Sequence, residues 1–256
     1  MKVVLISRKK YFVVLFIAVL FILVIANGLL AREYVAQVSG QYRKELPIYS
    51  VDTEDKKCSV TFDCAWGADD IPMILDTLDK YGAKATFFIV GLWAEKFPDM
   101  VKLISESGHD IANHGYSHAH MAGIPEAKTE EEILRCSGVL EELTGKKVTL
   151  FRPPYGEYDS STIKVAQKLG YQSIQWDVDS LDWKKNLSAE DIYKRVTQRV
   201  TYGSIILFHN DTPHTEEVLP SILENLTNNG YTCVPVSELL IKGKYKIRYD
   251  GRQMQE

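Results

Sequence analysis

Between residues 59 and 240, short apolar runs alternate with helical patterns, and most of those helices are followed directly by a glycine. This rhythm restricts the fold more than any other feature of the chain. A strand that is apolar on both faces has to be covered by helices, so repeated strand–helix units build a parallel sheet. The expected strands are Ser59–Phe62, Ala85–Val90, Asp110–Ala112, Thr149–Arg152, Ser173–Trp176, Ser204–Phe208 and Thr232–Val236. The helical patterns are Ile71–Tyr81, Asp99–Ser107, Thr129–Thr144, Ser160–Leu169, Ala189–Val200 and Val218–Asn229. Gly82, Gly108, Gly145, Gly170 and Gly230 follow five of them, as glycine does where a helix ends in the left-handed region. Seven strands with six intervening helices predict a parallel, barrel-like α/β fold.

The ends of the chain are patterned differently. Lys2, Arg8, Lys9 and Lys10 precede an uncharged run from Tyr11 to Ala31, long enough to cross a bilayer at about 1.5 Å per residue. The run is apolar on every face, unlike a core helix, and the basic residues before it predict that the rest of the chain lies outside the cytoplasm. Residues 1–32 therefore read as an uncleaved, single-pass membrane anchor. A signal peptide cleaved after Gly28 or Ala31 is the alternative. Residues 33–56 read as a juxtamembrane linker, 57–241 as one catalytic domain and 242–256 as a C-terminal tail. With 256 residues and 45% of them hydrophobic, the chain has material for one substantial core. Of 30 Lys and Arg, five precede Glu33, which leaves 25 basic against 34 acidic residues beyond it. That balance repels a phosphate backbone and argues against a nucleic-acid partner. Cys58 and Cys233 lie in expected strands and can pair if those strands are neighbours; otherwise the four cysteines are free buried thiols.

The unusual polar residues fall where strands end, the place where parallel α/β folds gather reactive groups. Asp63 follows the first strand, His114 and His118 the third, Arg152 ends the fourth, Asp179 and Asp182 follow the fifth, and His209 ends the sixth. His114 and His118 are four positions apart, so both imidazoles reach one divalent metal if the loop turns helically. Solvent-facing turn residues are the other reading. In Phe151-Arg152-Pro153-Pro154-Tyr155-Gly156 two prolines fix the backbone after Arg152, and Asp63 is available to pair with its guanidinium. The stretch Asp179-Ser180-Leu181-Asp182-Trp183 can supply a carboxylate that orients His209 and raises its pKa.

Together, Thr61-Phe62-Asp63, His114 to His118, Arg152 to Gly156, Asp179 to Trp183 and Leu207-Phe208-His209 resemble, in order, the motifs of the polysaccharide deacetylases with a NodB-homology domain. These are carbohydrate esterases, and the Phe62-Asp63-Cys64-Ala65-Trp66-Gly67 form is similar to their PdaB-like branch of spore-forming bacteria. The resemblance implies a distorted (β/α)7 barrel and hydrolysis of N-acetyl groups on a peptidoglycan or chitin-like polysaccharide. His114 and His118 would hold a divalent metal, expected to be Zn2+. Asp63 would be the base, kept ionised by Arg152, and His209 the acid, oriented by Asp179. The Tyr155 amide would bind the oxyanion, and Trp183 and Leu207 would wall the acetyl pocket. The family's first motif usually carries a second aspartate as third ligand where this chain has Cys64. A thiolate there favours Zn2+; a small core residue is the alternative, with Asp69, Asp70 or water completing the shell. A glycan-binding protein that has lost the chemistry and an O-acetyl esterase are the competing functions.

Overall fold

A computed structural model describes residue 15, residues 20–28 and residues 45–256. Its central strand owes its place to sequence. Lys57–Cys64 (β2) is buried on both faces from Cys58 onward, so it needs a strand on each side and cover above and below. Ala85–Ile89 (β3) pairs with it in parallel through Val60–Cys64, and Ile205–His209 (β8) does so through Ser59–Asp63. Asp110–Asn113 (β4), Leu150–Phe151 (β5) and Gln172–Ser173 (β6) continue outward from β3, and Val178–Asp179 (β7) flanks β8. The order is β6-β5-β4-β3-β2-β8-β7, with Thr232–Cys233 (β9) beside the start of β2.

Helices cover the outer face. Ile71–Lys80 (α1) buries Ile71, Ile74, Leu75 and Leu78, one stripe at helical spacing. Glu126–Thr144 (α4) buries Ile133, Cys136 and Leu140, and Thr215–Asn228 (α7) buries Val218, Leu219, Ile222, Leu223 and Leu226. Gly91–Lys96 (α2), Pro98–Glu106 (α3), Ser160–Lys168 (α5), Ala189–Thr197 (α6) and Val236–Leu239 (α8) complete the set. The outer layer of the core takes Cys58, Val60, Phe62 and Cys64 from alternate positions of β2, whereas Phe88, Ala112 and Ile205 line the concave side.

The expected parallel, barrel-like α/β fold is present as a half-barrel, in which β6 and β7 are the two ends of the sheet. Strands β5 and β9 are shorter than expected because Pro153 and Pro235 lack the N–H that a ladder needs. The expected linker and tail also need correction, since Glu45–Glu256 forms one compact unit. Ser50–Val51 (β1) runs parallel to Arg252–Gln255 (β11), which pairs antiparallel with Tyr245–Ile247 (β10). Ile48 and Ser50 also bridge to Ile174 and Ser204, tying this small sheet to the half-barrel. Cys58 and Cys233 are register partners with their sulfurs 3.7 Å apart, as free thiols. Among the described residues no helix is long and apolar enough to cross a membrane. Residue 15 and residues 20–28 are helical, and the rest of the expected anchor lies outside the described residues.

Candidate active site

Because β2 and β8 are parallel and in register, Asp63 and His209 are direct partners at the same end of the sheet. Asp63 is buried, and its Oδ1 accepts from Arg152 Nη1 at 2.6 Å. The fully buried guanidinium also donates to Thr61 Oγ1 (2.9 Å) and Gln175 O (3.1 Å) and lies 3.8 Å from the Phe88 ring centre. Burial pushes the Asp63 pKa up, but the charges of Arg152, His114 and His209 outweigh it and hold the carboxyl below its ordinary range. The expected pairing of Arg152 with Asp63 is thus present. Removing one partner of such a buried pair costs about 3–5 kcal/mol, because the other charge is left without compensation.

The loop after β4 carries the paired histidines. Arg152 O lies 2.8 Å from His114 Nδ1, which leaves Nε2 facing Asp63 Oδ2 at 3.4 Å. Glu132, on the buried stripe of α4, accepts from Tyr116 N, Ser117 N and Ser117 Oγ at 2.7–2.9 Å and so clamps the loop. His118 sits at φ 59, with its ring centre 5.2 Å from His114 and 4.3 Å from Tyr155. Burial, reinforced by His114, pulls its pKa down to about 4, so the ring is neutral at neutral pH. His120 is turned away to stack on Tyr155 at 4.2 Å and bond Glu157 at 2.7 Å.

Two neutral imidazoles are suitable metal donors, but a catalytic zinc centre takes three protein ligands. Cys64 cannot be the third, because it shares the helix-facing side of β2 with Val60 and Phe62, opposite Asp63. Burial also drives its thiol pKa well up, so it is not a thiolate. Asp70 Oδ2 is engaged by Asp211 N at 2.7 Å, and Asp69 is exposed. Among the described residues no group of three or more His, Cys, Asp or Glu is placed to hold a metal ion, so the donor set does not fit the expected Zn2+ centre.

His209 is oriented by Asp182, not by Asp179 as expected. Asp182 Oδ1 lies 2.8 Å from His209 Nδ1, while Oδ2 accepts from His209 N (2.7 Å) and Thr215 Oγ1 (2.6 Å). Asp179 ends β7 in register with Leu207, two residues below His209, and its Oδ1 is taken by Leu181 N at 2.9 Å. The turn through Leu181, at φ 59, lifts Asp182 to the level of His209. Burial lowers the His209 pKa, but the bond and charge of Asp182 more than offset it, and the net shift is upward.

Leu207 is buried two residues below His209, and Tyr155 and Trp183 are half-exposed on the loops above. The four non-glycine residues with positive φ among those described, His118, Tyr155, Leu181 and Asp211, all lie on these loops. Strain of that kind gathers where a site is held in a demanding shape. The site therefore presents an ionised carboxylate beside a histidine biased toward its charged form, the pair required for hydrolysis with base and acid assistance. Sequence reasoning missed the clamp Glu132, whose signal was an acid on the buried stripe of a helix, and it favoured the wrong carboxylate of the Asp179–Asp182 pair.

The polysaccharide deacetylase family model matches residues 50–174. A peptidoglycan-N-acetylglucosamine deacetylase of Bacillus cereus is 34% identical over 218 residues, which are 83% of this chain and 74% of that protein. A solved peptidoglycan N-acetylglucosamine deacetylase superposes with a TM-score of 0.72 at 33% identity, over 75% of this chain and 92% of the other. A carbohydrate esterase family 4 pseudoenzyme from Bacillus anthracis superposes with a TM-score of 0.73 at 29% identity, over 82% of this chain and 73% of the other. With the family's motifs gathered at one rim and this extent of likeness, the chain belongs to the polysaccharide deacetylase family, the NodB-type hydrolases of carbohydrate esterase family 4.

Proposed function

We propose that the chain removes N-acetyl groups from peptidoglycan glycan strands, releasing acetate and a free amino sugar. The observation that carries this reading is the pairing of Asp63 with His209 across β2 and β8, each held by its own buried counter-charge. Asp63, kept ionised by Arg152, takes a proton from the water that attacks the acetamide carbonyl carbon. The Tyr155 amide, between Pro154 and Gly156, is the proposed donor to the resulting oxyanion. His209, charged with the help of Asp182, gives its Nε2 proton to the departing nitrogen as the C–N bond breaks. Leu207 floors the space for the acetyl methyl, and Trp183 borders the sugar. The names of the relatives support peptidoglycan as the glycan.

Acetate release from N-acetylated glycan strands tests the reading. Asp63→Asn is expected to lower the rate by about 10²–10⁴-fold. Equal rates in the two proteins would sink it and favour a glycan-binding protein without chemistry, the alternative supported by the lack of a third ligand among the described residues. We also propose that residues 1–32 anchor the chain in a membrane with the hydrolase outside the cytoplasm. The basic residues before Tyr11 and the exposed apolar side chains of Leu20, Phe21, Ile22, Leu23, Val24 and Ile25 support it.

A further inference from the structure

Trp66 has no part in the base, the acid or their supports, yet it is displayed with care. Its indole is 55% exposed and meets the His118 ring edge-on, centres 5.7 Å apart. The backbone at its foot is pinned. Gly67 O accepts from Trp93 Nε1 (2.8 Å) and Asn210 Nδ2 (2.5 Å), and Gly67 N donates to Asp211 Oδ2 (2.9 Å). A side chain at residue 67 would meet the Asp211 carboxyl carbon at 2.6 Å, so a larger residue there would displace the carboxylate that accepts from residue 67 N. The loop therefore uses three hydrogen bonds to hold a large apolar ring that stays about half exposed to water.

Half-exposed Tyr155 also packs on His118, at 4.3 Å, so Trp66 and Tyr155 both lean on the imidazole that borders the base. We infer that Trp66 is a fixed stacking platform for the pyranose ring adjacent to the one bearing the scissile acetamido group. This inference rests on the deacetylase reading. A β-linked N-acetylhexosamine presents a flat C–H face with its hydroxyls at the edge. That face is apolar and slightly positive, which suits the negative face of an indole. The indole meets His118 and not the base Asp63 itself, and the adjacent sugar is therefore the occupant assigned to it. A pinned platform also loses little conformational entropy when the sugar arrives.

The test compares wild type, Trp66→Ala, Trp66→Phe and the control Tyr249→Ala, an 87% exposed aromatic on the turn between β10 and β11. Acetate release is measured on the β-1,4-linked N-acetylglucosamine tetramer and on the monosaccharide. Tetramer affinity is measured by calorimetry with the same substitutions in an Asp63→Asn background. Trp66→Ala is expected to raise KM and Kd for the tetramer about tenfold, with kcat nearly unchanged. Trp66→Phe should recover most of that loss, Tyr249→Ala should match wild type, and the monosaccharide should not register the change. Tetramer KM and Kd within about twofold of wild type in Trp66→Ala would overturn the inference. If wild type releases no acetate from either substrate, the deacetylase reading fails, and the calorimetric arm alone decides whether Trp66 binds sugar.

Discussion

At the level of single residues, the site depends on which of two aspartates, three positions apart, reaches one histidine. Asp182 is buried and spends both oxygens on His209 and Thr215, whereas Asp179 acts on His209 only through its more distant charge. Asp182 is thus a positioning residue, and a pH–rate profile separates the two. In Asp182→Asn the burial that lowers the His209 pKa is no longer opposed by a bonded carboxylate. The alkaline limb, where the acid loses its proton, should move to lower pH, and the maximal rate should fall about 10²-fold or more. Asp179→Asn should shift the same limb slightly in the same direction and leave most of the rate. Equal profiles for the two variants would contradict the geometry. The pairing of Arg152 with Asp63 was legible in sequence because a buried guanidinium requires a carboxylate and few candidates were available. The choice between Asp179 and Asp182 was not, because it turns on a left-handed residue, Leu181, that no composition rule marks.

Among the elements, strand periodicity decides more than motif identity. Asp63 and Cys64 are neighbours in sequence, but alternate residues of β2 face opposite layers, so one joins the site and the other the helix-facing core. Helix α4 contributes through a single buried acid, Glu132, which takes three donors from the histidine loop. The junction between α3 and β4 carries a different consequence. His109 is only 4% exposed, and its Nδ1 accepts from Ala85 N at 3.1 Å. Burial, with help from the Lys84 charge, pulls its pKa from 6.5 down to about 4. The folded chain holds this ring neutral while the unfolded chain protonates it near pH 6.5. The stabilisation is therefore complete above pH 6.5 and is lost as the pH falls through 4. Urea unfolding across that window should show His109 removing about 3 kcal/mol, a loss that His109→Asn should abolish. Parallel stability curves for the two proteins would refute the assignment.

For the whole molecule, the expected anchor makes a simple claim about distribution. The full chain should sediment with membranes and resist extraction by salt, while a chain starting at Glu45 should be released in soluble form with its acetate-releasing activity intact. Recovery of both proteins in the same fraction would remove the anchor from the account. Within Glu45–Glu256, the β/α alternation, the order of the reactive segments and their place at strand ends follow from sequence alone. They depend on local periodicity and on turns set by glycine and proline. What only the tertiary structure decided is non-local. The sheet stops at β6 and β7 as a half-barrel, and Ser50 pairs with Arg252, so a presumed linker and tail become one small sheet. Cys64 faces helices, and Asp182 reaches His209. Such outcomes depend on strand twist, register and contacts between residues far apart in the chain, and a local pattern of apolar and polar residues does not encode them.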